Sequence, residues 1–208
     1  MKKYYLTSII VFVLFVGMSA LGFAAENQYV KREQVNTVCE GINGEKVSFI
    51  GSKKPQTSQM NLQVKNLKTG KIDLNLAYVP QRTGPGFSSN FIIERMNISR
   101  KSFWIIKAYD DGPKYFQTNK VWVVGEYKGQ YVVFLTEGIL GQSTTDISVN
   151  YGMVGTGPAR GGEAPAQTAL IFVNGFASNA PKTAAYWDDN AQWFAYSGVN
   201  DLPYGAMM

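Results

Sequence analysis

The chain has no histidine and only one cysteine among its 208 residues. Without an imidazole, Ser-His-Asp and Cys-His nucleophile arrangements are excluded, because no side chain is present to take the nucleophile's proton in the usual way. Zinc and copper sites built on histidine are excluded too, and one thiol cannot replace those ligands. A single cysteine, Cys39, also rules out an intramolecular disulfide. Stability must therefore come from an apolar core and not from covalent staples. A buried, inert thiol is the expectation for Cys39, with an intermolecular bridge as the alternative.

Phosphate cradles are missing as well. No G-x-x-x-x-G-K-[ST] occurs, no G-x-G-x-x-G follows a strand and opens a helix, and Gly155-Thr156-Gly157 runs into Pro158. Ser-x-x-Lys spacing does not occur either. Dense basic stripes are lacking: Arg95, Arg100 and Lys101 come nearest, and a solvated strand end accounts for them. No cofactor and no metal are expected, and nucleic acid is not an expected partner.

What is present begins with a leader. Lys2 and Lys3 precede an apolar run from Ile9 to Val16 that continues less strictly to Phe23. Gly22 and Ala24 then stand at the −3 and −1 positions of a cut after Ala24. Charged, apolar and small residues in that order are the pattern of a secretory signal peptide. The run is interrupted by Gly17 and Gly22 and is followed by Glu26, which argues against an uncleaved membrane anchor. Cys39 lies too far from the cut to carry a lipid. Residues 1–24 are read as a signal peptide and residues 25–208 as a single extracytoplasmic domain, periplasmic, envelope-associated or secreted. Losing Lys2 and Lys3 takes the formal charge from +5 to a mild +3.

Gly, at 21 residues, punctuates short apolar runs, as in all-β chains. Met60, Leu62 and Val64 alternate with polar residues, as do Ile72, Leu74, Leu76 and Tyr78. That period of two marks a hairpin with one buried face, turning at Gly70 with positive φ. A second hairpin pairs 120–127 with 131–135. It is apolar on both faces near its middle, which predicts a central position covered on both sides. Further strands are expected over 46–50, 91–98, 103–109, 147–154 and 169–176. Asp110-Asp111-Gly112-Pro113 reads as a turn, and 83–86 and 155–165 read as loops. From Pro181 the apolar residues Ala184, Trp187, Ala191 and Phe194 recur at spacings of three, four and three, which predicts a short C-terminal helix over 181–196. The fold expected is all-β: a single sandwich or flattened barrel of about eight mostly antiparallel strands with one short C-terminal helix.

Carboxylates are the remaining catalytic groups. Glu126 and Glu137 flank the second hairpin and form the best available pair for a glycosidase, although strand-end and loop roles explain them more simply. Asp110-Asp111 and Asp188-Asp189-Asn190 carry oxygens suited to calcium, but no 12-residue calcium loop surrounds them. Aromatics are plentiful, with 12 Tyr, 12 Phe and 4 Trp. Trp104 and Trp122 fall inside strand runs and are expected in the core. Trp193, Tyr196 and Tyr186 cluster near the C-terminus and are the binding candidates. The reading that follows is a non-catalytic binding module with a protein or glycan partner. The alternatives are a carboxylate-dependent enzyme acting on polysaccharide and, last, a small outer-membrane β-barrel.

Overall fold

The computed structural model describes residues 31–54, 58–80, 84–98, 100–112, 115–136, 147–155, 166–174 and 182–197. The expected signal peptide, the 156–165 segment and Glu137 lie outside the described residues. Within them the chain is all-β, with thirteen strands where about eight were expected. In chain order these are β1 (Lys31–Glu33), β2 (Val38–Glu40), β3 (Lys46–Lys53), β4 (Met60–Asn66), β5 (Ile72–Tyr78), β6 (Ser88–Ile98) and β7 (Lys101–Gly112). The series continues with β8 (Tyr115–Tyr127), β9 (Gln130–Thr136), β10 (Ile147–Gly155), β11 (Ala166–Asn174), β12 (Lys182–Asp188) and β13 (Trp193–Ser197). They form three antiparallel sheets: β1-β6-β7-β8-β9, β2-β3-β4-β5 and β10-β11-β12-β13.

The five-stranded sheet is the middle of the arrangement, because two separate cores use its two faces. Along β7, Trp104 and Ile106 join Phe49, Leu62, Val64 and Tyr78 of the β2–β5 sheet. Their neighbours Phe103 and Ile105 join Leu170, Phe172, Trp187 and Phe194 of the β10–β13 sheet. The same alternation divides β8, with Trp122 and Val124 on one side and Val121 and Val123 on the other. Strands buried on both faces read as continuous apolar runs, which is why 120–124 and 103–106 look undivided in the sequence. The second hairpin is covered on both sides as expected, but it is not central within its sheet, because β9 is the edge strand. Trp104 and Trp122 are core, at 0% and 4% exposure. The first hairpin also forms, with Met60 paired to Tyr78 and Leu62 to Leu76, and Gly70 turns at φ 73°.

The C-terminal helix is not observed. Residues 182–188 and 193–197 are instead the antiparallel pair β12–β13. A helical stripe and a tight hairpin happen to coincide here: Trp187 and Phe194 stand seven apart in sequence, two helical turns, and also directly opposite in the hairpin register. Their rings meet at 5.3 Å. Local polar chemistry decides between the two. Asp188 Oδ1 accepts the amides of Asn190 at 2.8 Å and Ala191 at 3.2 Å, and Gln192 takes φ 50°. An aspartate that bonds the backbone two and three residues on makes a turn and interrupts a helix. Ala191, a member of the supposed apolar stripe, lies exposed in that turn.

A second correction concerns Asp110-Asp111-Gly112-Pro113. Asp110, Asp111 and Gly112 belong to β7, paired to Gln117, Phe116 and Tyr115 of β8. A register shift between Ala108 and Tyr109 leaves Asn119 as an extra residue in β8. There the buried Asn119 Nδ2 donates to Asp110 Oδ2 at 2.8 Å and to Tyr78 Oη at 2.9 Å, while Ser89 Oγ donates to Asp110 Oδ1 at 2.6 Å. Asp110, at 2% exposure, is a buried acceptor that fixes Asn119, and Asn119 ties the middle sheet to Tyr78 of the β2–β5 sheet. Asp110 is not a turn residue. A buried carboxyl group held by two donors in this way specifies register more than it adds stability.

Candidate functional site

The three aromatic binding candidates do not share one surface. Tyr196 lies opposite Ala185 on β12, the neighbour of Tyr186 in the chain, so the two tyrosines project from opposite faces. Tyr186, opposite Ala195, is half-buried against Ala169, Ile171 and Ala184. Trp193 is 40% exposed and Tyr196 44%, and partial burial pushes the Tyr196 phenol up from its ordinary pKa. The fold instead brings Trp193 to the seam with the middle sheet. Its ring meets Phe134 of β9 edge-on at 4.5 Å and Tyr127 of β8 at 6.1 Å. Lys128 Nζ lies over the Tyr127 ring at 5.1 Å. Phe134 in turn packs on Phe103, Trp187 and Phe194. A half-exposed indole held from beneath by buried rings is a rigid contact surface, with little ordering entropy left to lose on binding.

The carboxylate candidates are not brought together by anything described. Glu126 Oε1 accepts the Gly129 amide inside the β8–β9 turn, which is a turn-closing role, and Glu137 lies outside the described residues. Among the described residues no group of three or more acidic or thiol side chains is placed to hold a metal ion. Cys39, half-buried on β2, has its thiol pushed up to about 11, first by burial and then by the neighbouring Glu33 charge. A thiol so raised is a poor nucleophile at neutral pH.

A polar cleft that no local sequence pattern announces opens on the other face of the β8–β9 turn. Its volume is about 290 Å³, and it is lined by Asn43, Glu45, Asn66, Lys71, Asp73, Gly129, Gln130 and Tyr131. Three hairpin turns meet there: β2–β3, β4–β5 and β8–β9. Each contains a glycine in the left-handed region, Gly44 (φ 79°), Gly70 (φ 73°) and Gly129 (φ 79°), a conformation that L side chains resist. The floor is tightly built. Tyr131 Oη donates to Glu45 Oε1 and accepts the Ile42 amide at 3.2 Å, and Glu45 Oε2 accepts the Asn43 amide at 3.0 Å. Beneath, the Tyr131 ring stacks on fully buried Trp104 at 4.8 Å. A Cβ at Gly41 would overlap the Glu45 carboxylate and come within 2.7 Å of Tyr131 Oη, so a larger residue there would displace the two groups that form the floor.

The side chains around that floor are mostly unengaged. Asn66 Oδ1 accepts the Lys68 and Thr69 amides at 3.0 and 3.1 Å. Among the described residues, the side chains of Asn43, Lys71, Asp73 and Gln130 make no hydrogen bond or ion pair. Comparison with known proteins gives no match to this chain, whether among family models, curated proteins or solved structures.

Proposed function

We propose that this chain is an exported, non-catalytic binding module whose layered β-sandwich presents Trp193 to a glycan. One observation carries the reading: Trp193 stays 40% exposed while its ring is wedged against Phe134 and Tyr127. Leaving so large an apolar surface wet costs roughly half of the ~1.5–3 kcal/mol that full burial would return, and a sugar ring stacked on the indole recovers it. The lack of histidine and the turn-closing role of Glu126 support binding over catalysis. Export rests on the leader. Intact mass of protein from an exporting host should give a mature chain beginning within two or three residues of Ala25, and the full chain in the membrane fraction would defeat that part.

Binding is tested by titrating the mature chain with oligosaccharides from bacterial, plant and animal envelopes while following tryptophan fluorescence. The expected result is quenching that Trp193→Ala abolishes with only a small change in melting temperature. Quenching that survives Trp193→Ala, or a panel with no binder, would reject the reading.

A further inference from the structure

We propose that the cleft between the β2–β3, β4–β5 and β8–β9 turns is a second binding site, for a neutral saccharide of one or two rings. It uses different side chains from the Trp193 surface and stands or falls separately.

The argument begins with what the cleft leaves unsatisfied. Lys71 and Asp73 stand two residues apart beside one another in the lining, yet neither pairs with the other or with any described residue. Around them are three amides: Asn43, Gln130, and Asn66, whose Oδ1 is committed to its turn while its Nδ2 is not. The lining thus offers donors and acceptors in near balance, interleaved over a short span. A hydroxyl group both donates and accepts, so a ring carrying several adjacent hydroxyls can satisfy Asp73 and Lys71 while bridging to the amides. Each of those amides presents a donor, and Asn43 and Gln130 an acceptor as well.

Size and rigidity agree with this choice. About 290 Å³ lies at the lower edge of ordinary ligand sites, roughly 300–1,000 Å³, which suits one or two sugar rings and not a long chain. The Tyr131–Glu45 floor is already hydrogen-bonded and stacked on Trp104, so it needs no reordering when a ligand arrives. An amphoteric ligand such as a peptide terminus could also span Lys71 and Asp73. Ion pairs this exposed, however, contribute only ~0–1 kcal/mol, and the amides would add nothing specific to its two charges. The number of neutral hydrogen-bonding groups favours the saccharide.

The test uses the mature chain, uniformly labelled with ¹⁵N, titrated with maltose, cellobiose, lactose and N,N′-diacetylchitobiose, and separately with glycylglycine. At least one sugar should shift the amides of residues 43–45, 66–73 and 129–131. Asp73→Ala and Asn43→Ala should each weaken that sugar by roughly tenfold, whereas Trp193→Ala should leave it unchanged. Both substituted side chains lie on turns or their flanks, outside either core, so the amide spectrum reports directly that the variants remain folded. Shifts confined to the Trp193 and Tyr127 region would overturn the cleft proposal while leaving the Trp193 surface intact. Cleft shifts with glycylglycine and none with any sugar would overturn it in favour of an amphoteric ligand, and no cleft shift with any compound would overturn it outright.

Discussion

Replacing Gly125 by alanine sets two effects of opposite sign against each other, and the structure decides the winner. Gly125 lies in β8 opposite Phe103 of β7 and Val132 of β9, and its φ is not in the left-handed region. On backbone entropy alone alanine should therefore stabilise the fold by about 0.5–1 kcal/mol. The new Cβ, however, would lie 2.7 and 2.9 Å from Phe103 Cδ1 and Cε1, and 2.8 Å from Phe134 Cε2. Neither ring can swing aside. Phe103 is 1% exposed and Phe134 0%, they meet each other at 5.8 Å, and Trp187 stands 5.2 Å from one and 5.3 Å from the other. Forcing a methyl into so closed a cluster costs about 1–3 kcal/mol. Sterics should at least cancel the entropic gain, leaving a net loss of roughly 0–2.5 kcal/mol. Equilibrium urea unfolding should show a lower midpoint with an unchanged slope. Adding Phe134→Leu, which removes one of the obstructing rings, should give a favourable coupling of about 0.5–3 kcal/mol in the double-mutant cycle. A midpoint for Gly125→Ala that rises by the entropic amount would refute the packing described for this face of β8.

Other substitutions and pH test other parts of the fold. Trp187→Ala should cost about 3–5 kcal/mol by denaturant titration, through transfer and cavity terms. Trp193→Ala should cost only about 1–2 kcal/mol, because half its ring is already wet; equal losses would place both rings in the core. Lys128 and Gly129 take φ 52° and 79°, a pair suited to Asn-Gly, so Lys128→Asn should stabilise by about 0.5–1 kcal/mol, and a lower melting temperature would contradict that turn. The Cys39 thiol, raised to about 11, favours its protonated form in the folded state. Its contribution to stability should be complete below about pH 9 and fade as pH rises through about 11. Disulfide-reagent labelling at pH 8 should be at least about tenfold slower folded than denatured, and equal rates would show that the thiol is not shielded.

The strands were legible where burial imposes a period. The one-sided alternation of Met60, Leu62 and Val64 identifies β4, and the two-sided apolar run of β8 identifies a sheet covered on both faces. Loss of legibility came where two periods give the same arithmetic. Ala184, Trp187 and Phe194 satisfy a helical stripe, and the latter two satisfy the hairpin register as well. Only Asp188, bonding the amides of Asn190 and Ala191, distinguishes the two from local chemistry. Strand number was underestimated for a related reason. Short edge strands such as β1 and β2, three residues each, carry too few positions to display any period.

The candidate sites were less legible than the strands, because they arise from register between distant segments. Trp193 was singled out as an exposed aromatic, and it is one, but its neighbours Tyr127 and Phe134 come from strands some 60 residues earlier in the chain. The cleft draws on three segments, 43–45, 66–73 and 129–131, and each alone resembles an ordinary solvated turn. Glycine at 44, 70 and 129 was the only local sign that three tight turns exist. That they meet follows from stacking the β2–β5 sheet on the middle sheet, an arrangement set by Phe49, Leu62, Val64 and Tyr78 against Trp104 and Trp122. The same stacking overrides the turn chemistry of Asp110-Asp111-Gly112-Pro113. Once the bulge places Asn119 to donate to both Asp110 and Tyr78, a residue suited to a loop becomes part of a buried polar link between sheets. Polar residues in this fold therefore take their roles from the sheet stacking more than from their immediate neighbours in sequence, and substitutions at the Phe49–Trp104 contact (4.9 Å) should disturb the cleft floor that Trp104 supports through Tyr131 as well as the core.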